Sequence, residues 1–303
     1  MKISTPNKLL VVAGPTASGK TTISMKIAEK MGAEITSADS LLVYKRMDIG
    51  TAKPSKKERE QVPHHLIDVV EPSEEYTVSD YREDAVSKME EIKSRGKDFI
   101  VAGGTGFYIN ALINETFKTP KADPELRKEL EEKKDLYEEL KKIDPQSAER
   151  IHPNDKYRTV RAMEVYYTSK KTMTQFREEH KKISKRMEPL IIVLNPSKEE
   201  LLKNIDIRTN KMLRMGLVEE VNDLIKSGIS TNLKPMKSIG YKQAVDFIQG
   251  RITEDEMTKN IRAETAALAK RQVTWFKKQE HTRWYHPVKD MDRIRNDIVS
   301  FIG

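Results

Sequence analysis

Residues 8–32 read KLLVVAGPTASGKTTISMKIAEKMG: an apolar run, a loop bounded by glycines, then an apolar repeat at helical spacing. The first part reads as a buried strand. In the last part Ile23, Ile27 and Met31 fall at helical intervals, and Gly32 stops the helix. The loop between them, 14–21, fits G-x-x-x-x-G-K-[ST], with the strand before it and the helix after it that the pattern requires. Glycines let backbone N–H groups turn toward a phosphate, and a helix N-terminus adds a positive field. Gly14, Pro15, Thr16, Ala17, Ser18, Gly19, Lys20 and Thr21 are therefore the candidate phosphate cradle, with Lys20 reaching terminal phosphates and Thr21 a candidate Mg²⁺ ligand. The pattern is that of ATP- and other nucleotide-binding proteins, but grip alone does not say what becomes of the phosphates.

Working outward, EITSAD at 34–39 reads as a second strand ending at Asp39. A helix is expected over 77–95, with Val78, Tyr81, Ala85, Met89 and Ile92 on one face and Gly96 after it. FIVAG at 99–103 reads as a third strand, running into Gly104 and Thr105. Strands alternating with helices predict an α/β fold, a P-loop NTPase-like parallel sheet flanked by helices, whose ligands sit at the carboxyl ends of the strands. The P-loop, Asp39 and Thr105 all fall at such ends. From Phe117 the chain turns dense in Lys, Arg and Glu without a convincing strand, and EPLIIVLNP at 188–196 returns to the sheet. The expected organisation is a first part of the core over 1–116, a helical insertion domain over 117–187, and a return to the core with C-terminal helices over 188–303. A last helix opens at Thr253, with Glu256 at the spacing of a capping box.

The 303 residues are 37% hydrophobic, enough for a main domain and a smaller one. A net charge of +8 makes a polyanionic partner plausible, though charge alone is weak support. The absence of cysteine excludes disulfides, thiolate zinc sites and cysteine nucleophiles. The apolar run at 9–13 is too short for a membrane span or a signal peptide, so no membrane partner and a cytoplasmic location are expected, with a monomer as the default.

The companions of the loop do not favour nucleotide hydrolysis. A P-loop ATPase or kinase carries an apolar strand ending in a magnesium-supporting Asp. Here FIVA ends in GGTG, Asp39 ends a strand of mixed character, and HHLID ending at Asp68 is a looser match. Asp39 itself is open to three readings, a magnesium ligand, a helix cap or a general base, and spacing alone ranks the cap first. Thr105 is either a turn residue or a hydroxyl that orients a reacting group. His64, His65 and His152 have no metal-ligand spacing and read as surface or capping residues. On the last helix Met257, Ile261, Leu268, Trp275 and Phe276 form an apolar stripe that reads as core, while Lys259, Arg262, Lys270 and Lys277 form a basic one, a solvated face or a phosphate rail.

In order along the chain, GPTASGKT, SADSLLVYKRMDIGTAKP, PHHLID, YREDA, VAGGTGFYINALI, ADPELR, RIHPNDKYRTVRAMEVY, SIGYKQ and AKRQVTWF resemble the tRNA dimethylallyltransferases, or tRNA isopentenyltransferases, of the bacterial type. The resemblance runs from about Lys8 to Phe276. It implies transfer of a dimethylallyl group from dimethylallyl diphosphate to N6 of the adenosine 3′-adjacent to the anticodon, in tRNAs reading codons that begin with U. It implies that the cradle, with Arg208 and Mg²⁺ on Thr21, binds the leaving diphosphate. Asp39 matches the family's general base and Thr105 its orienting partner, which reverses the ranking by spacing. Asp39, Ser40, Leu41, Leu42, Thr105, Arg127, Tyr157, Arg158, Thr159, Val160, Arg161, Lys237, Ser238, Ile239, Gly240, Tyr241, Lys242, Lys270, Arg271, Gln272 and Trp275 match tRNA-binding positions, and the insertion would clasp the anticodon stem-loop. Two positions depart from the pattern: Ala266 stands where an arginine is expected, one helical turn after Arg262, and Arg46 stands where glycine is common.

Overall fold

The computed structural model describes residues 8–114, 119, 120, 122–181 and 187–303. These fall into two compact units, Met1–Ile113 with Met187–Gly303, and Asn114–Arg186. Phe117, where the sequence reading opens the insertion, lies outside the described residues.

The first unit is α/β. Strands β1 (Lys8–Ala13), β2 (Glu34–Ser37), β3 (His64–His65), β4 (Phe99–Gly103), β5 (Glu188–Leu194) and β6 (Thr282–Tyr285) form one sheet in the order β3-β2-β4-β1-β5-β6, every pairing parallel. A central parallel strand is covered on both faces, which is why β1 is apolar without a break. Successive side chains leave a strand on opposite faces. Leu9, Val11 and Ala13 thus enter one core with Val101, Ile191 and Val193, while Leu10 and Val12 enter the other with Ile100 and Ile192. Each Val, Leu or Ile among them contributes about 1.5–3 kcal/mol on burial.

Helices α1 (Lys20–Met31), α2 (Lys56–Gln61), α3 (Val78–Ser94) and α4 (Gly106–Ile113) belong to the first part of this unit. Thr77 opens α3 through a capping box with Asp80. Tyr81 of α3 stacks on Tyr108 of α4, ring centroids 3.9 Å apart.

The second unit holds α5 (Pro124–Glu132), α6 (Leu136–Ile143), α7 (Pro145–Arg150), α8 (Lys156–Ser169) and α9 (Met173–Lys181). Its own small core gathers Leu130, Leu136, Leu140, Val160 and Met163.

The chain then returns to the first unit through α10 (Lys198–Arg214), α11 (Leu217–Lys226), α12 (Tyr241–Ile248), α13 (Glu254–Phe276) and α14 (Met291–Ile302). Thr253 and Glu256 form the expected capping box of α13. That helix is not the last: β6 and α14 follow it. β6 escaped the sequence reading because it is a four-residue edge strand in which Tyr285 alone is buried. Gly216, at φ 94°, separates α10 from α11, since this left-handed conformation is one that glycine adopts at little cost.

Candidate active site

The strand-to-helix turn after β1 is built from backbone. Gly14 has φ 148°, and a Cβ there would stand 2.5 Å from the Leu194 carbonyl oxygen. Lys20 Nζ donates to Pro15 O at 2.7 Å, which folds the ammonium over the loop. Burial lowers the Lys20 pKa to about 8; the charge of Asp39 opposes this and that of Arg208 adds to it. Arg208, on α10, is likewise lowered by burial and raised by Asp39. Lys20, Asp39 and Arg208 are each half-buried, and the charge of Asp39 acts on both cations. Ser18 Oγ is buried there without a hydrogen-bond partner, and Thr21, in the first turn of α1, is exposed.

The second wall of the site is the junction of β2 and β4. Gly103 lies so close to β2 that a Cβ would meet Ala38 O at 2.1 Å. This contact brings the two strand ends together, with Thr105 N donating to Ala38 O at 3.1 Å and Ser40 N donating to Thr105 Oγ1 at 3.0 Å. Asp39 Oδ1 accepts from Leu41 N at 2.9 Å, closing a turn. No helix begins here; residues 40–43 are turn, so the helix-cap reading of Asp39 is corrected to a turn cap. Helix formation fails because Leu42 O and Val43 O accept from Asp68 N, Val69 N and Val70 N, which commits this stretch to the neighbouring loop.

Gln272 on α13 joins the two walls. Its Oε1 accepts from Thr16 N at 2.8 Å and its Nε2 donates to Gly104 O at 2.9 Å. Nearby, the Trp275 ring lies where a Gly106 Cβ would be.

A glycine turn of the phosphate-binding pattern next to a carboxylate and a hydroxyl suits transfer of a group away from a diphosphate. The family model for IPP transferase matches residues 42–279. The chain belongs to the IPP transferase family. Its relatives include tRNA dimethylallyltransferase 1 of Citrifermentans bemidjiense, 41% identical and covering 98% of this chain and 97% of its own length, and the tRNA dimethylallyltransferase of Thermotoga petrophila, 40% identical and covering 97% and 98%. Among solved structures, the tRNA isopentenylpyrophosphate transferase of Bacillus halodurans has a TM-score of 0.73 at 34% identity, covering 98% of this chain and 97% of its own. A eukaryotic dimethylallyltransferase described as acting on tRNA has a TM-score of 0.82 at 29% identity, covering 97% and 80%.

Of the positions matched to the family's tRNA contacts, the first unit exposes Lys237, Lys242, Lys270 and Arg271, and half-exposes Ser238 and Ile239. Gly240 is buried, and Tyr241 is fully buried, with its hydroxyl donating to Glu220 at 2.6 Å. The Tyr241 side chain has no surface to offer a nucleic acid; the sequence hid this because the residue sits between two exposed lysines. Lys270, Arg271, Thr274, Trp275 and Lys278 line a depression of about 320 Å³. Lys278 belongs with that basic set and had no signal in the motif.

In the second unit Tyr157 and the side chain of Arg158 are each 70% exposed. Val160 and Thr159 are buried, so they support α8 instead of presenting side chains. Arg127 lies over the Tyr157 ring, 5.5 Å from its centroid. Arg127 and Arg161 both pair with the wholly buried Glu164, at 3.2 and 2.6 Å. Arg262, one turn before Ala266, is held by Asp206 at 2.7 Å and Asn210 at 2.8 Å, and so braces α13 against α10. No helix among the described residues is long and apolar enough to cross a membrane.

Proposed function

We propose that this chain transfers a dimethylallyl group from dimethylallyl diphosphate to N6 of the adenosine 3′-adjacent to the anticodon, in tRNAs reading codons that begin with U. The observation that supports the reading is that the strand ends carrying Asp39 and Thr105 lie against the 14–21 loop, a Cβ on Gly104 standing 3.4 Å from Gly14 O, with the charge of Asp39 acting on both Lys20 and Arg208. The adenine amine is a poor nucleophile because its lone pair is delocalised into the ring. Asp39 accepts the N6 proton as the new C–N bond forms, and general-base help of this kind is worth about 10²–10⁴ in rate. The allylic C–O bond breaks, and its electron pair leaves on the diphosphate. Lys20, Arg208, the loop amides and Ser18 Oγ take up that charge, which a partly desolvated site rewards more than water does. Thr105 fixes the Asp39–Ser40 turn and offers a hydroxyl to the reacting groups.

Magnesium fits this site as a companion of the diphosphate. Among the described residues no three His, Cys, Asp or Glu side chains are grouped to hold a resident metal. Mg²⁺ keeps several waters and binds through phosphates and one or two protein oxygens, for which the exposed Thr21 hydroxyl is suited. Bound there, it would add positive charge to the leaving group.

The second unit, 114–186, would bind the anticodon stem-loop through Arg127, Tyr157 and Arg158, while Lys237, Lys242, Lys270, Arg271 and Lys278 of the first unit would hold its backbone. The base must leave its stack to reach the site. The protein would work as a cytoplasmic monomer.

Incubation with dimethylallyl diphosphate, Mg²⁺ and unmodified tRNA is expected to yield N6-prenylated adenosine, with Asp39→Ala cutting kcat about 10²–10⁴-fold and leaving tRNA affinity near wild type. Product on free AMP, ADP or ATP but none on tRNA would replace the acceptor. No product on either would remove the reading.

A further inference from the structure

One carboxylate outside the cradle gathers four hydrogen bonds. Glu220, in the first turn of α11, accepts from Asp48 N at 2.9 Å and Ile49 N at 2.8 Å through Oε2, and from Gly50 N at 3.2 Å and Tyr241 Oη at 2.6 Å through Oε1. Three successive amides turned toward one point form an anion-binding concavity, here filled by the protein's own side chain. The fit is close: a Cβ on Gly50 would stand 2.4 Å from the Tyr241 ring. The same loop is held from its other side by Lys53, whose nearly buried ammonium meets Asp48 at 2.6 Å and Tyr44 O at 2.8 Å.

A hydrogen bond ties this clamped loop to Arg208. Thr51, buried and tied by its hydroxyl to Met47 O at 2.7 Å, turns its carbonyl to Arg208 and accepts from Nη2 at 3.1 Å. Among the described residues this is the guanidinium's one protein hydrogen bond. We propose that Glu220 is a positioning residue: through the 48–51 loop it fixes the Thr51 carbonyl, and thereby aims Arg208 at the leaving diphosphate. A guanidinium on a long side chain loses much of its value when its direction is free, and a fixed carbonyl supplies that direction. The inference rests on the proposed role of Arg208 as a diphosphate ligand, and its test needs neither tRNA nor turnover.

The experiment is a double-mutant cycle read by calorimetric titration with inorganic diphosphate and Mg²⁺, with melting temperature recorded for each protein. Glu220→Ala is expected to raise the diphosphate Kd about tenfold in the wild-type background and less than about twofold in an Arg208→Ala background, because the two act through one contact. Glu220→Gln keeps the shape of the side chain but turns an amide group onto neighbouring donors, and Tyr241→Phe removes one donated bond. Both should fold and show the same coupling at smaller size. Equal losses in both backgrounds, or a lowered melting temperature with unchanged diphosphate affinity, would overturn the proposal. If prenyl transfer itself were absent, the cycle would still report on Glu220 and Arg208.

Discussion

The glycine turn at 14–21 with its neighbouring strand ends and the charged face of the helical unit are made by different means. In the first, geometry comes from backbone: Gly14 and Gly103 sit where a single methyl group would strike a carbonyl oxygen. In the second, Arg127 and Arg161 take their places from the buried carboxylate of Glu164, and the ring of Tyr157 lies against Arg127. Positions fixed by backbone have no slack, because strands and turns shift only as units. Positions held by side chains on helices can drift and weaken by degrees. The first kind suits a reacting centre that tolerates little misplacement, the second a broad contact with a polyanion, where many small terms add.

The largest test of this contrast is Gly103→Ala. The added Cβ would stand 2.1 Å from Ala38 O, so β2 and β4 must part at the end that carries Asp39 and Thr105. Overpacking costs about 1–3 kcal/mol of stability. Prenyl transfer is expected to fall about a hundredfold or more, out of proportion to that loss, since misplacement of about 1 Å can cost that much. Wild-type turnover would show that the strand ends are not rigid and would break the contrast.

A smaller effect follows from pH. Lys20 loses its proton at about 8 in the folded protein against 10.5 ordinarily, burial being the main cause. Below about 8 folded and unfolded chains are both protonated at this site, and stability from it does not change. Between about 8 and 10.5 the unfolded chain binds the extra proton, so this group makes the fold more stable as pH rises. Diphosphate affinity must run the other way, dropping by up to about tenfold per pH unit above 8 as the ammonium discharges. A titration series across pH 7–10 checks it, and the slope above 8 should vanish in Lys20→Met.

What could be read in the sequence follows the same division. The turn after β1 was legible because a backbone-built turn needs glycines at set spacing, and 14–21 displays them between a strand and a helix. Thr253 and Glu256 were legible because a capping box is local. The Asp39 turn was not: its spacing suggests a helix cap, because the bonds that hold 40–43 as a turn come from residues 68–70. Glu220 carried no signal, since the loop amides it accepts from lie about 170 residues away in sequence, and Gln272, matched only as a tRNA contact, gave no sign that it ties Thr16 to Gly104. Tyr241 read as a surface contact among lysines, whereas tertiary packing against Gly50 buries it. The helical unit was legible only as composition: a dense mix of acids and bases does not say which carboxylate is buried between two arginines.

The smallest effect is expected where that unit meets solvent. Arg158 is exposed and pairs with Asp155 of its own helix turn at 3.0 Å, a surface pair worth about 0–1 kcal/mol. Arg158→Ala should therefore leave the melting temperature almost unchanged and diphosphate affinity untouched. If the guanidinium meets one phosphate of the tRNA, its removal takes one counterion from the release on binding. The slope of log affinity against log salt then falls in magnitude by about 0.7–0.9, and affinity weakens by a few-fold at moderate salt without loss of kcat. Binding titrations at four or five salt concentrations measure this. An unchanged slope would mean that Arg158 faces away from the tRNA, and a collapse of kcat would mean that this face is built as rigidly as the cradle, which is the outcome most damaging to the distinction between the two regions.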